Sequence, residues 1–229
     1  MNITGFSKKI NEFSVKGYSE LVPSLKYKIY EIDISTEYDF RFLQQYCLWL
    51  ENEMLTKFPA SWDGQTRLGE NSLTSRYSFY SLFAIEEMKP LADIVRKHYD
   101  SFMDELGKDK DHSVYCQSWV NVMRQGEHIA RHNHWGFEYT YLSANICVAA
   151  NGTHTNYYNP ISGEKYASPN RFGKLTIFPS WIQHDTDVVV DNDPRISIAM
   201  DFYTEKGFNE DIYEDKKWRW VELKSLSNA

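Results

Sequence analysis

From Val114 onward the chain is written as short segments that alternate in polarity, and this pattern constrains the fold most. In residues 114–123 (VYCQSWVNVM), Tyr115, Gln117, Trp119, Asn121 and Met123 fall on one face. Val114, Cys116, Ser118, Val120 and Val122 fall on the other. A period of two is the signature of a β-strand. Residues 139–150 (YTYLSANICVAA) alternate too, with Leu142, Ala144, Ile146 and Val148 apolar. Residues 173–178 (GKLTIF) and 195–204 (RISIAMDFYT) are further strand candidates. Turn-forming pairs separate these runs: Asn151-Gly152, Asn159-Pro160, Ser162-Gly163 and Asn192-Asp193-Pro194. Short strands punctuated in this way argue for a β-sandwich or barrel.

The first half reads differently. Residues 26–34 (KYKIYEIDI) are rich in β-formers and read as one strand. Between Thr36 and Met54, Phe40, Leu43, Cys47, Leu50 and Met54 recur at three and four residues, the stripe of an amphipathic helix. A second stripe runs through Leu91, Ile94, Val95, Phe102 and Leu106, with Gly107 as its stop. His98 lies on or beside it and reads as a packing or surface histidine. The segments 58–79 and 152–170 are turn-rich and aromatic, and read as an entrance, a lid or plain connection. His154 in the second reads as a loop residue. No Pro/Gly/Ser linker divides the chain, so the helices are expected to cover the outer face of one sheet. One domain over 1–229 follows, with a strand and helical wrapping at 1–110, a β core at 111–204 and an extension at 205–229. The charged, aromatic stretch 214–222 (EDKKWRWVE) reads either as packing on its own sheet or as the contact of a homodimer.

Composition narrows the class. The net charge of −7 gives no basic footprint for nucleic acid. Three widely spaced cysteines, Cys47, Cys116 and Cys147, form no disulfide framework and no CxxC motif. The first residues lack the apolar stretch of a signal peptide, and no run approaches the roughly 20 apolar residues of a membrane span. A cytoplasmic protein is the expectation.

Three of the seven histidines fall within EHIARHNHWGFEY, residues 127–139. His128 and His132 are four apart and would share a helical face, but Gly126 and Trp135-Gly136 flank them and no helical stripe surrounds them. His132 and His134 are two apart, so on a strand their side chains share one face, about 7 Å apart along the backbone. Two such imidazoles converge on one metal at about 2.1 Å, with a third ligand from another strand. His184, in FPSWIQHD after GKLTIF, is the best candidate. The remaining reading is a solvated loop with incidental histidines. Imidazole suits Fe, Zn, Cu and Ni, so residue type leaves the metal open.

These residues resemble the 2-oxoglutarate/Fe(II)-dependent oxygenases, and among them the bacterial and phage family related to prolyl 4-hydroxylases. The elements come in order: Trp119-Val120-Asn121, Gly126, His132-Asn133-His134, Phe178-Pro179-Ser180-Trp181 with His184, then Arg195-Ile196-Ser197. They cover about residues 113–204. The resemblance implies a mainly β double-stranded β-helix (jelly-roll, cupin-like) with the N-terminal helices on its outer sheet. It implies Fe(II), 2-oxoglutarate as co-substrate and O2. His132 and His184 become metal ligands, while His134 stands where the family has Asp or Glu; Glu138 is the reserve. Arg195 and Ser197, with Asn121 beside them, become the holders of 2-oxoglutarate. The implied activity is hydroxylation of a peptide or small molecule, with release of succinate and CO2.

Two other readings use the same residues. Gly126, His132, His134 and Glu138, then Gly173, Pro179 and His184, follow cupin spacing, which points to a metal-dependent dioxygenase or isomerase without 2-oxoglutarate. Trp181 and Asn145 stand where that pattern has glycine, and cupins have no call for Arg195 and Ser197. A non-catalytic β-barrel binding module is the third.

Overall fold

The computed structural model describes residues 7–57, the backbone of 73–74, and residues 81–110, 113–134, 140–212 and 214–224. In chain order the strands are β1 (Lys9–Val15), β2 (Leu25–Asp33), β3 (Leu73–Thr74), β4 (Ser113–Met123), β5 (Thr140–Ala149), β6 (His154–Tyr158), β7 (Lys165–Pro169), β8 (Lys174–Pro179), β9 (Gln183–Thr186), β10 (Arg195–Thr204) and β11 (Val221–Lys224). The helices are α1 (Phe40–Lys57), α2 (Lys89–Leu106) and α3 (Glu205–Asp211).

The expected strands form one antiparallel sheet in the order β1-β2-β8-β5-β10-β4-β11, with β3 on β4. Its centre is β10, paired along its length with β4 and β5. The period of two decides what each face meets. Ile196, Ile198, Met200 and Phe202 of β10 join Val114, Cys116, Val120 and Val122 of β4 and Leu142, Ala144, Ile146 and Val148 of β5. This face packs on the apolar stripes of α1 and α2 in a single buried cluster. Truncating a large side chain in such a layer to Ala costs about 2–5 kcal/mol.

The helices follow their stripes. Phe40, Leu43, Cys47, Leu50 and Met54 are the apolar buried residues of α1. It starts at Phe40 because Asp39 caps it: Oδ1 accepts from the N–H groups of Arg41 and Phe42 at 3.0 Å each. Helix α2 ends where Gly107 takes φ 61°, as expected. His98 is a packing residue, buried between the Tyr30 hydroxyl (3.0 Å) and Glu37 (3.0 Å). All three cysteines are free and buried.

The expectation for 152–170 needs correction. It is neither a lid nor plain connection: it folds as the β6–β7 hairpin of a second sheet, in the order β7-β6-β9. Asn159 makes the turn, its Oδ1 accepting from Ile161 and Ser162 N–H at 3.0 Å each. The segment 58–79 lies outside the described residues except for Leu73–Thr74, whose backbone pairs with Val122 and Asn121. No helix among the described residues is long and apolar enough to cross a membrane.

Candidate metal centre

The inward face of the large sheet carries the polar residues. On β10 these are Arg195, Ser197 and Asp201, all buried, with partly exposed Ala199 between them. Their register partners on β4 are Met123, Asn121, Trp119 and Gln117. Opposite stands the smaller sheet, which presents Thr155 and Tyr157 of β6 and His184 of β9 inward. Tyr157 accepts from Asn145 of β5 at 3.1 Å, so the two sheets meet there.

The free edge of β9 is taken by residues 126–134. This stretch is extended but irregular, neither the helix that would pair His128 with His132 nor a regular strand. Its backbone bonds climb β9 in order: Gly126 N–H to Val189 O (2.8 Å), Thr186 N–H to Ile129 O (3.1 Å), His132 N–H to His184 O (3.0 Å) and His134 N–H to Ser180 O (2.9 Å). His132 and His184 are therefore direct neighbours across an antiparallel bridge.

The three imidazoles converge. One nitrogen of each lies within 4.8 Å of the others. Ring centroids are separated by 4.3 Å (His132–His184), 5.1 Å (His132–His134) and 5.2 Å (His134–His184). The second nitrogen of each ring faces an oxygen. His132 Nδ1 is 2.8 Å from Ala130 O and His184 Nδ1 is 3.1 Å from Ile182 O. A carbonyl only accepts, so both rings donate from Nδ1 and leave Nε2 bare. His134 Nδ1 stands 2.7 Å from Asp201 Oδ1, close but not aligned as a hydrogen bond. His184 has its pKa held well below the usual imidazole range, first by burial and then by His132 and His134. It is neutral and keeps its lone pair. Three imidazole nitrogens turned toward one point make a donor set that fits a divalent transition metal.

The second feature is Arg195. Its side chain is 3% exposed, and no carboxylate among the described residues lies within 4.0 Å of it. Its hydrogen bonds are long: Nη1 to Ser197 Oγ at 3.5 Å and Nη2 to Thr155 Oγ1 at 3.4 Å. Its buried Nε has no hydrogen-bond partner among the described residues. Burial pushes its pKa down, and its charge helps to depress His184. A buried guanidinium left in this state costs several kcal/mol unless an anion joins it. The donors remaining on its planar fork fit a carboxylate.

The structure thus brings His132, His134, His184, Arg195 and Ser197 to one interior, with Asn121 buried beside Ser197 as its register partner. Glu138 lies outside the described residues. His154 starts β6 with its side chain on the outer face, held by Asp187 at 2.8 Å. Sequence reasoning missed Thr155, Tyr157 and Asp201. The first two sat in a segment read as loop. Asp201 was legible as a carboxylate in step with Arg195 and Ser197 on a strand whose other face carries Ile196, Ile198, Met200 and Phe202.

No family model and no curated protein matches the sequence. Solved structures do. A prolyl-4-hydroxylase from Pseudomonas putida superposes with a TM-score of 0.53 at 14% identity, over 72% of this chain and 86% of that one. The non-heme alpha ketoglutarate dependent epimerase SnoN from nogalamycin biosynthesis gives 0.53 at 11% identity, over 77% and 76%. A complex of SnoN with Fe3+, alpha ketoglutarate and nogalamycin RO gives 0.52 at 13%. The chain has the double-stranded β-helix fold of the 2-oxoglutarate oxygenases, with a histidine triad inside it.

Proposed function

We propose that this protein is an Fe(II)- and 2-oxoglutarate-dependent dioxygenase that hydroxylates a peptide or a small molecule. The observation that carries the reading is the buried guanidinium of Arg195, with no carboxylate against it among the described residues, in the same interior as three converging histidines. A metal centre alone does not need Arg195, and a binding module needs neither. The overall reaction is substrate C–H + O2 + 2-oxoglutarate → substrate C–OH + succinate + CO2. Iron, when bound, supplies the redox chemistry with O2 that a polypeptide lacks.

The chain's own residues do the rest. His132, His134 and His184 are the ligands, each through Nε2. Arg195 holds the distal carboxylate of 2-oxoglutarate, with Ser197 and Thr155 hydroxyls at its flanks and Asn121 as a further polar contact. Trp119 stands beside the His134 ring, and Tyr157 and Phe178 beside that of His184, as apolar walls of the site. Tyr157 stays a neutral phenol, because burial raises its pKa above the usual 10.0. It therefore remains a hydrogen-bond donor at neutral pH.

Anaerobic titration with Fe(II) and 2-oxoglutarate tests the reading. A metal-to-ligand charge-transfer band in the visible is expected in the wild type and should vanish in His184→Ala. Iron binding that ignores 2-oxoglutarate would favour the cupin-type chemistry, and no metal uptake would favour the binding module.

A further inference from the structure

The metal centre described above has one electrostatic oddity. Three imidazoles leave the full 2+ charge on a bound divalent ion, whereas a His-x-Asp or His-x-Glu arrangement brings one carboxylate into the ligand set. The missing negative charge is present nearby. Asp201 is 2% exposed, on the inward face of the central strand β10. Its Oδ1 accepts from Ser143 Oγ of the neighbouring strand β5 at 2.8 Å. The same oxygen stands 2.7 Å from Nδ1 of His134, the residue that occupies the family's carboxylate position. Both side chains are almost wholly buried, at 6% and 3% exposure.

We propose that Asp201 is a positioning residue for the metal centre, accepting a hydrogen bond from Nδ1–H of His134 and so presenting Nε2 to the ion. The carboxylate lost from the ligand set is thereby kept one shell further out. This rests on the reading of the three histidines as ligands.

The geometry supports each part. A carboxylate accepts but does not donate when ionised, so a proton on His134 belongs on Nδ1 when Asp201 is its neighbour. That is the tautomer His132 and His184 already hold through Ala130 O and Ile182 O. The third ring is the exception in having a charged acceptor. Hydrogen bonds to charged groups are roughly twice as strong as neutral ones, and they raise the basicity of the opposite nitrogen. The Oδ1···Nδ1 line is short but bent, so a modest turn of the imidazole on metal binding aligns it. Ser143 anchors the carboxylate from a strand that is itself paired with β10 at Asp201.

The test uses Co(II) as a visible, redox-quiet stand-in for Fe(II) in the full chain. Co(II) affinity is read from ligand-field absorption, and the exchangeable imidazole N–H protons from paramagnetically shifted proton NMR. The wild type should show three such protons. In Asp201→Asn, affinity should fall about 10–100-fold. One N–H signal should shift or exchange faster while the other two stay. Ser143→Ala, which only loosens the carboxylate, should show a smaller loss with the same signal affected. A folded Asp201→Asn protein with wild-type affinity and three unchanged signals overturns the proposal. Should that variant not fold, an unchanged Ser143→Ala protein overturns it instead. A wild type that takes up no Co(II) removes the metal centre altogether, a failure distinct from equal binding by wild type and variant.

Discussion

His132 and His184 donate backbone hydrogen bonds to each other, N–H to O at 3.0 and 2.8 Å, across the edge of β9. Two of the three ligands are thus fixed as cross-strand partners by main chain alone. Their side chains are free to serve the metal because the fold does not need them for pairing. A one-residue slip of this bridge would turn one ring out of the interior.

Removing a ring should therefore cost metal binding and leave the fold intact. His132→Ala and His184→Ala should show wild-type circular dichroism and little change in apo melting temperature. In the wild type, Co(II) at 100 times its Kd should add about 2.7 kcal/mol of stability. Thermal melts with and without metal check this. A metal-induced shift that survives in His184→Ala would contradict the assigned site.

Arg195 gives a prediction with opposite signs for stability and function. The cation is buried with no anion beside it among the described residues, so its burial is a cost to the apo fold. Arg195→Met keeps the bulk and removes the charge. Apo stability should stay level or rise, as when buried charges are exchanged for apolar groups. Binding of 2-oxoglutarate should weaken at least about 30-fold, the equivalent of about 2 kcal/mol, with metal affinity nearly unchanged. Denaturant unfolding and calorimetric titration read the two effects. A variant that loses stability and keeps 2-oxoglutarate would make Arg195 structural.

The large sheet and the helices α1 and α2 were legible because each carries one apolar face. The alternation of β4 and the stripe of α1 pick out the same residues that pack between sheet and helices in the structure. The ligand pair was legible because His-x-His keeps its spacing even where the backbone is an irregular edge rather than a strand. The second sheet was not. Its strands β6, β7 and β9 have four or five residues each and carry His, Asn, Lys, Ser, Gln and Asp. Their outer face is a ladder of polar bonds in which Asn156 donates to Asp185 and Asp187 and the Tyr158 hydroxyl to Asp185. Alternation is invisible when a strand's solvent side and its pocket side are both polar. Thr155 meets Arg195 only because a distant strand brings them together, which no local pattern encodes.

Gly173 is required by its packing against Ser35. It takes φ +76°, and a Cβ there would stand 2.3 Å from Ser35 Cβ and 2.7 Å from Ser35 Cα. Its N–H donates to Cys147 O at 2.9 Å and its carbonyl accepts from Ile34 at 2.8 Å, tying β8 to β5 and to the end of β2. Gly173→Ala should cost at least about 2 kcal/mol through left-handed strain and the clash with backbone. Urea unfolding would read it; an unchanged midpoint would mean that this corner yields freely.

Glu31 and Lys174 form a buried pair through which stability depends on acid pH. Both are buried, with Glu31 Oε1 3.4 Å from Lys174 Nζ. Glu31 also accepts from Asn11 and the Tyr166 hydroxyl, each at 2.8 Å, and from Ser168. Burial alone would raise the Glu31 pKa. The charge of Lys174, then the bonds from Ser168, Tyr166 and Asn11, outweigh it and hold the carboxyl below 4.5. A carboxyl depressed on folding contributes stability above its unfolded pKa and loses it as pH falls through the folded value. Lys174 is itself pushed below 10.5 by burial, but that shift does not enter the acid limb. Glu31→Gln leaves the ammonium buried without its counter-charge and should cost about 3–5 kcal/mol at pH 7. Below pH 4.5 the wild type should lose stability faster than the variant, so the gap between their urea midpoints should narrow. A gap that stays constant from pH 7 to pH 3 would show that the carboxylate's charge is not what this network uses.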